Sequence, residues 1–276
     1  MSTAVRELFA GLIDDAAVFP PGNAPLPDAV VRHREHRGAW YQRLVGPLLI
    51  PASRHAELLA LLDPAEHRPV GLIGDEGLAG FDAALAAGPS VMTVRQVEWA
   101  VARRGQDPLP GLRSLLAWAQ GRPFDVYAEI PLTDGCMAAL DLLAETSASR
   151  VSPKFRTGGL AAELFPSPAE LAEVIVACAR SELRFKLTAG LHHAVRHVDP
   201  KTGFTHHGFL NVLAASAAAD GGAAQPDVER LLSASSPDPL LDLTQEWLDQ
   251  PRPLWVGFGS CDIAEPLEDL MRLGLI

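Results

Sequence analysis

The fold is decided by two short stretches of the chain, SPKFRTGG at residues 152–159 and RFKLTAG at residues 184–190. Each has the pattern of a strand that carries a lysine and ends at a glycine. Between them lies a single helical pattern, which opens with SPAE at residues 167–170. Two consecutive strand–helix units of this kind indicate neighbouring parallel strands whose lysines, Lys154 and Lys186, face one cavity.

The alternation of strand and helix continues along the rest of the chain. Eight strand-like runs can be counted, at residues 12–19, 46–50, 70–75, within 91–101, 124–130, 152–159, 184–190 and 254–260. Eight such units in about 250 residues predict a single α/β domain over residues 1–276, a (β/α)8 TIM-type barrel. An open doubly wound sheet is the alternative, although no glycine-rich dinucleotide fingerprint follows the first strand.

Composition and charge exclude several classes of partner. The net charge of −11 argues against nucleic acid and against an anionic membrane surface, because both require basic patches. No apolar stretch approaches the roughly 20 residues that span a bilayer, and the N-terminus lacks the pattern of a secretory signal. The 3 cysteines are far apart, as expected in a reducing compartment. We therefore expect a cytoplasmic protein whose partner is a small molecule; the oligomeric state stays open.

One segment breaks the rhythm of strands and helices. Residues 191–252, between strands seven and eight, hold two or three additional helical patterns. Long insertions at the carboxyl end of a barrel strand usually build or cover the active site, so we expect this insertion to cover the active-site face. The alternative is a surface insertion with no role in the active site, because a longer loop adds little to the entropic cost of folding.

The polar residues of strands five to seven are the first candidates for catalysis. Side-chain alternation places Lys154 and Arg156 on one face, and Lys186 and Thr188 on one face. A lysine near other cations in a partly dry pocket loses proton affinity, and its free amine can attack a carbonyl group. Arg156 and Thr188 would then bind an anionic substrate, while Glu129 moves protons.

A purely structural role for the two lysines stays open beside this interpretation. A buried lysine is costly unless it is paired. Lys154 and Lys186 would in that case only neutralise Glu129, Glu98 or Asp14 as ion pairs inside the barrel.

The two lysine strands resemble strands six and seven of the Schiff-base (class I) aldolases, and most closely the deoxyribose-phosphate aldolase family. The resemblance is local, covering residues 152–190. It implies that Lys154 forms an imine with the substrate and that Lys186 lowers its pKa. The chain departs from the family at Arg156, where a small hydroxyl residue is usual, and at Ala189, where a glycine is usual.

The histidines support a competing interpretation. Five of the 9 histidines lie between residues 192 and 207, in a segment that reads as a hairpin around an Asp-Pro-Lys-Thr-Gly turn. The hairpin would place His197 opposite Thr205 or His206. His192 and His193 are expected to contact substrate, or to hold a divalent metal ion together with Asp14 and Glu129. We favour no cofactor, and a divalent metal is the alternative.

Two further stretches carry candidate residues. Asp14 and Asp15 lie in an apolar run, where alternation sends one inward as a possible acid, base or lysine partner; a wet loop holding both is the alternative. GFGSCD at residues 257–262 links the eighth strand to the last helix, and Gly259 and Ser260 are candidates for binding an anion there. Asp262 opposes an anion, and the alternative is that it serves only as the N-cap of the helix.

These patterns together favour an enzyme that acts on a small anionic oxygenated carbon compound. The favoured class is a lyase of the aldolase type, with Lys154, Lys186, Glu129 and Asp14 as its catalytic residues. A metal-dependent hydrolase or isomerase is the second class. A non-catalytic barrel that binds a small ligand is the third, and the internal charges argue against it.

Overall fold

A computed structural model describes residues 5–63, 67–87, 92–146 and 150–276 of the chain. Eight parallel strands close into a barrel in the order β1-β10-β7-β6-β5-β4-β3-β2. The barrel strands are β1 (Ile13–Asp15), β2 (Val45–Pro51), β3 (Arg68–Ile73), β4 (Met92–Ala100), β5 (Asp125–Glu129), β6 (Val151–Arg156), β7 (Phe185–Thr188) and β10 (Trp255–Ser260). A separate hairpin pairs β8 (His197–Val198) with β9 (Thr205–His206). The predicted (β/α)8 barrel is confirmed, and the open doubly wound sheet is wrong.

Helices follow the strands and surround the barrel. They are α1 (Leu26–Gly38), α2 (His55–Leu61), α3 (Gly77–Ala87), α4 (Leu109–Ala119), α5 (Cys136–Glu145), α6 (Pro168–Arg180), α7 (Phe209–Asp220), α8 (Gln225–Ser233), α9 (Asp238–Trp247) and α10 (Ala264–Arg272). Among the described residues, no helix combines the length and the apolar composition needed to cross a lipid bilayer.

The helix between the two lysine strands shows how the sequence builds one unit. Ser167 caps α6, since its hydroxyl accepts from the backbone N–H of Glu170 and the Glu170 carboxylate accepts from the N–H of Ser167. Leu171, Ile175 and Cys178 then recur at helical spacing and are fully buried. The register that results places Lys154 directly beside Lys186 on β6 and β7.

The first strand is shorter than its apolar run. It pairs with β10 and β2 over only 3 residues, and Asp15 ends it by accepting a hydrogen bond from the backbone N–H of Ala17. Helix α1 ends at Gly38, and a 3₁₀ turn at Gln42–Leu44 precedes β2.

The segment between β7 and β10 has two parts. The hairpin of β8 and β9 places His197 opposite His206, which is one of the two pairings predicted from the turn sequence. Its Phe204 ring lies 5.0 Å from the Phe165 ring, in the loop between β6 and α6. Helices α7 and α8 pack against α6 outside the barrel, and α9 packs against α7. Thus the hairpin lies over the loop that follows β6, while the helices extend the outer ring.

Candidate functional site

A chain of alternating charges runs through the barrel interior and ends at its carboxyl face. Its members are, in order, Asp14, Lys186, Glu98, Lys154, Glu129 and Arg156. These residues come from β1, β7, β4, β6 and β5, so only a closed barrel brings them together. Three carboxylates alternate with three cations, and the chain as a whole is electrically neutral.

Lys154 occupies the middle of this chain. Its Nζ lies 2.6 Å from Glu98 Oε2 and 2.8 Å from Glu129 Oε2, and the pair with Glu98 is almost fully buried. Because both partners are carboxylates, the ammonium form of Lys154 is stabilised in spite of burial.

Lys186 lies deeper and is enclosed on all sides by polar and aromatic groups. Its Nζ contacts Asp14 Oδ2 and lies 2.6 Å from Glu98 Oε1. The ammonium also sits 4.9 Å from the centre of the Tyr127 ring, a cation–π contact. Lys186 is therefore a partner within the charged core rather than a group at its surface.

Gln96 and two glycines support the deep end of the charged chain. The Gln96 amide donates to Asp14 Oδ2 at 2.6 Å and to Glu98 Oε1 at 2.8 Å. A Cβ on Gly46 would lie 2.0 Å from Asp14 Oδ1, and one on Gly71 would lie 2.9 Å from Gln96 Cγ. Both strand glycines thus leave room for the polar groups, which is the usual meaning of glycine inside a strand.

The charged chain sets the protonation of its members. Burial alone would raise the pKa of Glu98, but Lys154 and Lys186 lower it to about 2. Burial alone would lower the pKa of Lys154, but Glu129 and Glu98 raise it above its usual value. The expectation that Lys186 lowers the pKa of Lys154 is therefore wrong for this state, because Glu98 lies between the two ammonium groups and neutralises their repulsion.

A cavity of about 300 Å³ opens at the carboxyl face beside this chain. Its wall includes the charged side chains of Arg103, Arg104, Arg156, Glu129, Glu163 and Glu170, and the apolar or small residues Ala100, Ala102, Ile130, Pro131, Leu132, Leu164 and Pro166. Glu129 connects the two features, since it lines the cavity and accepts from Lys154. Its second oxygen accepts from Arg156 Nε at 3.1 Å.

Three predicted binding residues take structural positions elsewhere. The backbone carbonyl of Thr188 accepts from the backbone N–H of Thr157. A Cβ on Gly259 would lie 3.2 Å from Leu49 Cδ1, so this glycine packs closely against Leu49. The Ser260 hydroxyl donates to the carbonyl of Asp262.

The expected anion site at the start of α10 is wrong. The Asp262 carboxylate accepts from the backbone N–H groups of Ala264 and Glu265, at 2.6 and 3.3 Å. A side-chain carboxylate therefore already satisfies the amides that an anion would need, and Asp262 acts as the cap of the helix.

The predicted histidines contact α10 instead of the charged chain. His192 Nδ1 lies 2.8 Å from Glu265 Oε2, and His193 Nδ1 lies 3.4 Å from Asp269 Oδ2. The alternative metal set of His192, His193, Asp14 and Glu129 is not assembled. Within the described ranges, no group of three or more histidine, cysteine, aspartate or glutamate side chains is placed to hold a metal ion.

The two adjacent aspartates of β1 are divided between the barrel and its surroundings, as alternation predicts. Asp14 points inward to Lys186, whereas Asp15 accepts a hydrogen bond from His33 Nδ1 at 3.1 Å, outside the barrel in α1. Sequence reasoning found Asp15 but not His33, because no local pattern links a helix histidine to a strand 18 residues away.

Sequence reasoning also missed Gln96, Arg103 and Arg104. Gln96 and Glu98 alternate on one face of β4, where both are buried, and their two-residue spacing was available as a signal. Arg103 and Arg104 lie in the loop after β4, where barrel enzymes place binding residues. The chain matches no protein-family model, no curated protein and no solved structure.

Proposed function

We propose that the protein is an enzyme that acts on a small anionic oxygenated carbon compound, and that it does so as a lyase through an imine at Lys154. One observation carries the proposal: Glu129 lines the cavity and also accepts from Lys154. The Glu129 carboxylate is therefore the group that lies between Lys154 and a molecule bound in the cavity. Lys186 is sealed between Asp14 and Glu98 and serves as a permanent counter-charge.

The arginines of the cavity wall are suited to a small anion, and the same wall also carries Glu129, Glu163 and Glu170. Its volume of about 300 Å³ is at the lower end for small-molecule sites. Arg103, Arg104 and Arg156 bring three guanidinium groups to its wall, and guanidinium groups bind carboxylates and phosphates in two-point contacts. Arg156 is 43% exposed, so an incoming anion can reach it.

Binding of such an anion supplies a route to the free amine. In the resting protein Arg156 and Lys154 both contact Glu129, which holds the pKa of that carboxyl below its usual value. A substrate anion that draws Arg156 away raises the proton affinity of Glu129. Glu129 then accepts a proton from Lys154, whose neutral amine attacks the carbonyl carbon of the substrate.

The remaining steps use the same groups. The carbon–nitrogen bond forms as the carbonyl oxygen takes up a proton, and this oxygen leaves as water to give the imine. The imine accepts the electron pair of the broken carbon–carbon bond, and Glu129 moves the proton that the leaving fragment gives up or receives. Hydrolysis of the imine returns Lys154 to the amine.

Reductive trapping tests this proposal on the unaltered protein. Incubation with sodium borohydride and a panel of small carbonyl anions, such as pyruvate and glyceraldehyde 3-phosphate, is expected to add a stable mass increment to one lysine. Peptide mapping is expected to place it at Lys154. A label on Lys201, the exposed lysine of the hairpin turn, or no label with any panel member, contradicts the imine.

Substitution of Arg156 tests the role of the anion. Arg156→Gln should weaken both binding and trapping of the anionic carbonyl compound at least tenfold. Arg150→Gln is the matched control, because Arg150 is an exposed arginine just before the opposite end of the same strand. Equal effects of the two substitutions would count against an anion at Arg156.

A second function is favoured by the charge state of Lys154. Glu98 and Glu129 stabilise its ammonium form, and an ammonium can stabilise a developing enolate without forming an imine. The protein would then be an isomerase or lyase that uses Glu129 as its base. Exchange of a substrate C–H proton with deuterium from solvent, without trapping by borohydride, distinguishes this function from the first.

We also propose that the enzyme is cytoplasmic. All 3 cysteines are free thiols, and a reducing compartment maintains that state.

A further inference from the structure

A cysteine, a histidine and a glutamate meet at the barrel mouth, on strands away from the cavity. Cys261 follows β10 on the turn into α10, and His192 follows the neighbouring strand β7. Glu265 lies in the first turn of α10. We propose that Cys261 is a nucleophilic thiol that undergoes exchange with small disulfides, with His192 as its base and Glu265 as a positioning residue.

The three side chains are arranged as an activated thiol requires, with the thiol next to the imidazole and the imidazole next to the carboxylate. Cys261 Sγ lies 3.9 Å from His192 Nε2, and His192 Nδ1 lies 2.8 Å from Glu265 Oε2. The carboxylate accepts from the Nδ1–H group and so fixes the neutral tautomer that carries its proton on Nδ1. The Nε2 lone pair then faces the thiol and can take its proton.

The surroundings of the sulfur keep Cys261 protonated in the resting protein. The N–H groups of Gly22 and of Cys261 itself lie against the sulfur and lower the thiol pKa, while burial and the carboxylates of Glu265 and Asp262 raise it. The balance is a raised pKa, so the resting group is a thiol. Its reactivity therefore depends on the transfer of its proton to His192, which makes the role of His192 testable.

Access separates this cysteine from the other two. Cys136 and Cys178 are buried, whereas Cys261 is partly exposed. Burial raises the pKa of Cys136 to about 12 and raises that of Cys178 further, so both are inert core thiols. The chain thus contains two internal controls for the reactivity of Cys261.

The exchange is balanced in atoms and charge. His192 Nε2 takes the proton of the Cys261 thiol as the sulfur attacks one sulfur of the small disulfide. The sulfur–sulfur bond of that disulfide breaks as the new bond to Cys261 forms. The departing thiolate receives the proton from the His192 imidazolium and leaves as a thiol, so the oxidant is the small disulfide itself.

The rate of reaction with 2,2′-dithiodipyridine tests the proposal, since the released thione is measured by absorbance. The native protein is expected to release one equivalent rapidly, mapped to Cys261 by mass spectrometry, and 3 equivalents after unfolding. His192→Gln should slow the native phase at least tenfold. Its rate should also fall more steeply than that of the unaltered protein as the pH is lowered, because the thiol has lost its base.

Two further variants separate positioning from simple structural effects. Glu265→Gln should shift the pH profile of the rate, while His193→Gln, next to His192 in sequence, should leave the profile unchanged. An unchanged rate and profile in His192→Gln would overturn the proposal, as would native labelling at Cys136 or Cys178. None of these readouts depends on the imine at Lys154, so failure of one proposal leaves the other standing.

Discussion

Lys154 and Lys186 lie at the same register position on neighbouring strands, yet their ammonium groups do not repel each other directly. The carboxylate of Glu98 lies between them: its Oε2 is 2.6 Å from Lys154 Nζ, and its Oε1 is 2.6 Å from Lys186 Nζ. This arrangement stabilises two buried cations at the cost of burying a third charge. The two lysines also differ in their relation to the cavity, since Lys154 is linked to it through Glu129 and Lys186 is not.

The first prediction concerns Glu98, whose removal leaves two ammonium groups short of a partner. Glu98→Gln should lower the free energy of unfolding at pH 7 by about 3–5 kcal/mol, the usual cost of breaking a buried ion pair. Chemical denaturation measures this loss. Glu57→Gln is the control, because Glu57 forms a solvent-exposed pair with Arg54, and little change in the free energy of unfolding is expected.

The same carboxylate predicts acid sensitivity. Its pKa is lowered from an ordinary value of 4.5 to about 2 in the folded state. Its contribution to stability is therefore present above pH 4.5 and is lost as the pH falls towards 2. Between pH 4.5 and 2, the free energy of unfolding of the unaltered protein should fall more than that of Glu98→Gln, as measured by chemical denaturation. Parallel curves for the two proteins would mean that Glu98 is not held ionised by the lysines.

A second prediction tests the space around Asp14. A Cβ at Gly46 would lie 2.0 Å from Asp14 Oδ1, so Gly46→Ala must displace the carboxylate that pairs with Lys186. We expect a loss of about 2 kcal/mol or more in the free energy of unfolding. Gly38→Ala, at the end of α1, meets no atom within 4 Å and should change stability by less than about 1 kcal/mol. Equal losses in both variants would contradict the tight packing at Asp14.

A third prediction concerns His207, which anchors the hairpin to the cavity wall. His207 Nε2 donates to the carbonyl of Pro166 at 2.8 Å, and burial lowers its pKa from 6.5 to about 4. The unfolded chain therefore binds the proton first as the pH falls. Stability should decline between about pH 6.5 and 4, by about 3 kcal/mol in total.

His207→Gln retains a donor for Pro166 but does not titrate. Thermal unfolding between pH 7 and 4 should therefore depend less on pH in this variant than in the unaltered protein. His67→Gln, at an exposed histidine, serves as the control and should retain the full dependence. If His67→Gln reduced the pH dependence of thermal stability as much as His207→Gln does, then His207 would not be the origin of that dependence.

A fourth prediction concerns Arg252, which closes the amino-terminal end of the barrel. Its guanidinium donates to the backbone carbonyls of Leu8, Ala10, Trp255 and Val256. A lysine cannot reach four acceptors in this plane, so Arg252→Lys should lower the free energy of unfolding by about 2 kcal/mol or more. Arg113→Lys, at an exposed arginine, should have little effect. Small-molecule binding per folded molecule should persist in Arg252→Lys, because the cavity lies at the other end.

Alternation along single strands predicted several features of the site. It placed Lys154 with Arg156 on one face and divided Asp14 from Asp15, and the structure has both arrangements. These features follow from the two-residue period of a strand, which is local.

The sequence offered Glu129, Glu98 and Asp14 as ion-pair partners of the lysines, but it could not assign which carboxylate meets which lysine. Glu98 lies on β4, which is not adjacent to β6 or β7 in the barrel, and it meets them only across the interior. Which residues meet there depends on the closure and stagger of all eight strands. The same is true of Gly46, whose missing side chain matters only because Asp14 points at it.

From the sequence alone, strand–helix periodicity and short connections favoured the (β/α)8 barrel, because they leave few other topologies. The two-residue period of a strand also predicted that Lys154 and Arg156 share a face of β6. The closed barrel was needed to show that carboxylates hold both lysines as ammonium groups, and that His192 faces Cys261 and Glu265. Charge states depend on neighbours that are distant in sequence, and barrel closure brings those neighbours into contact.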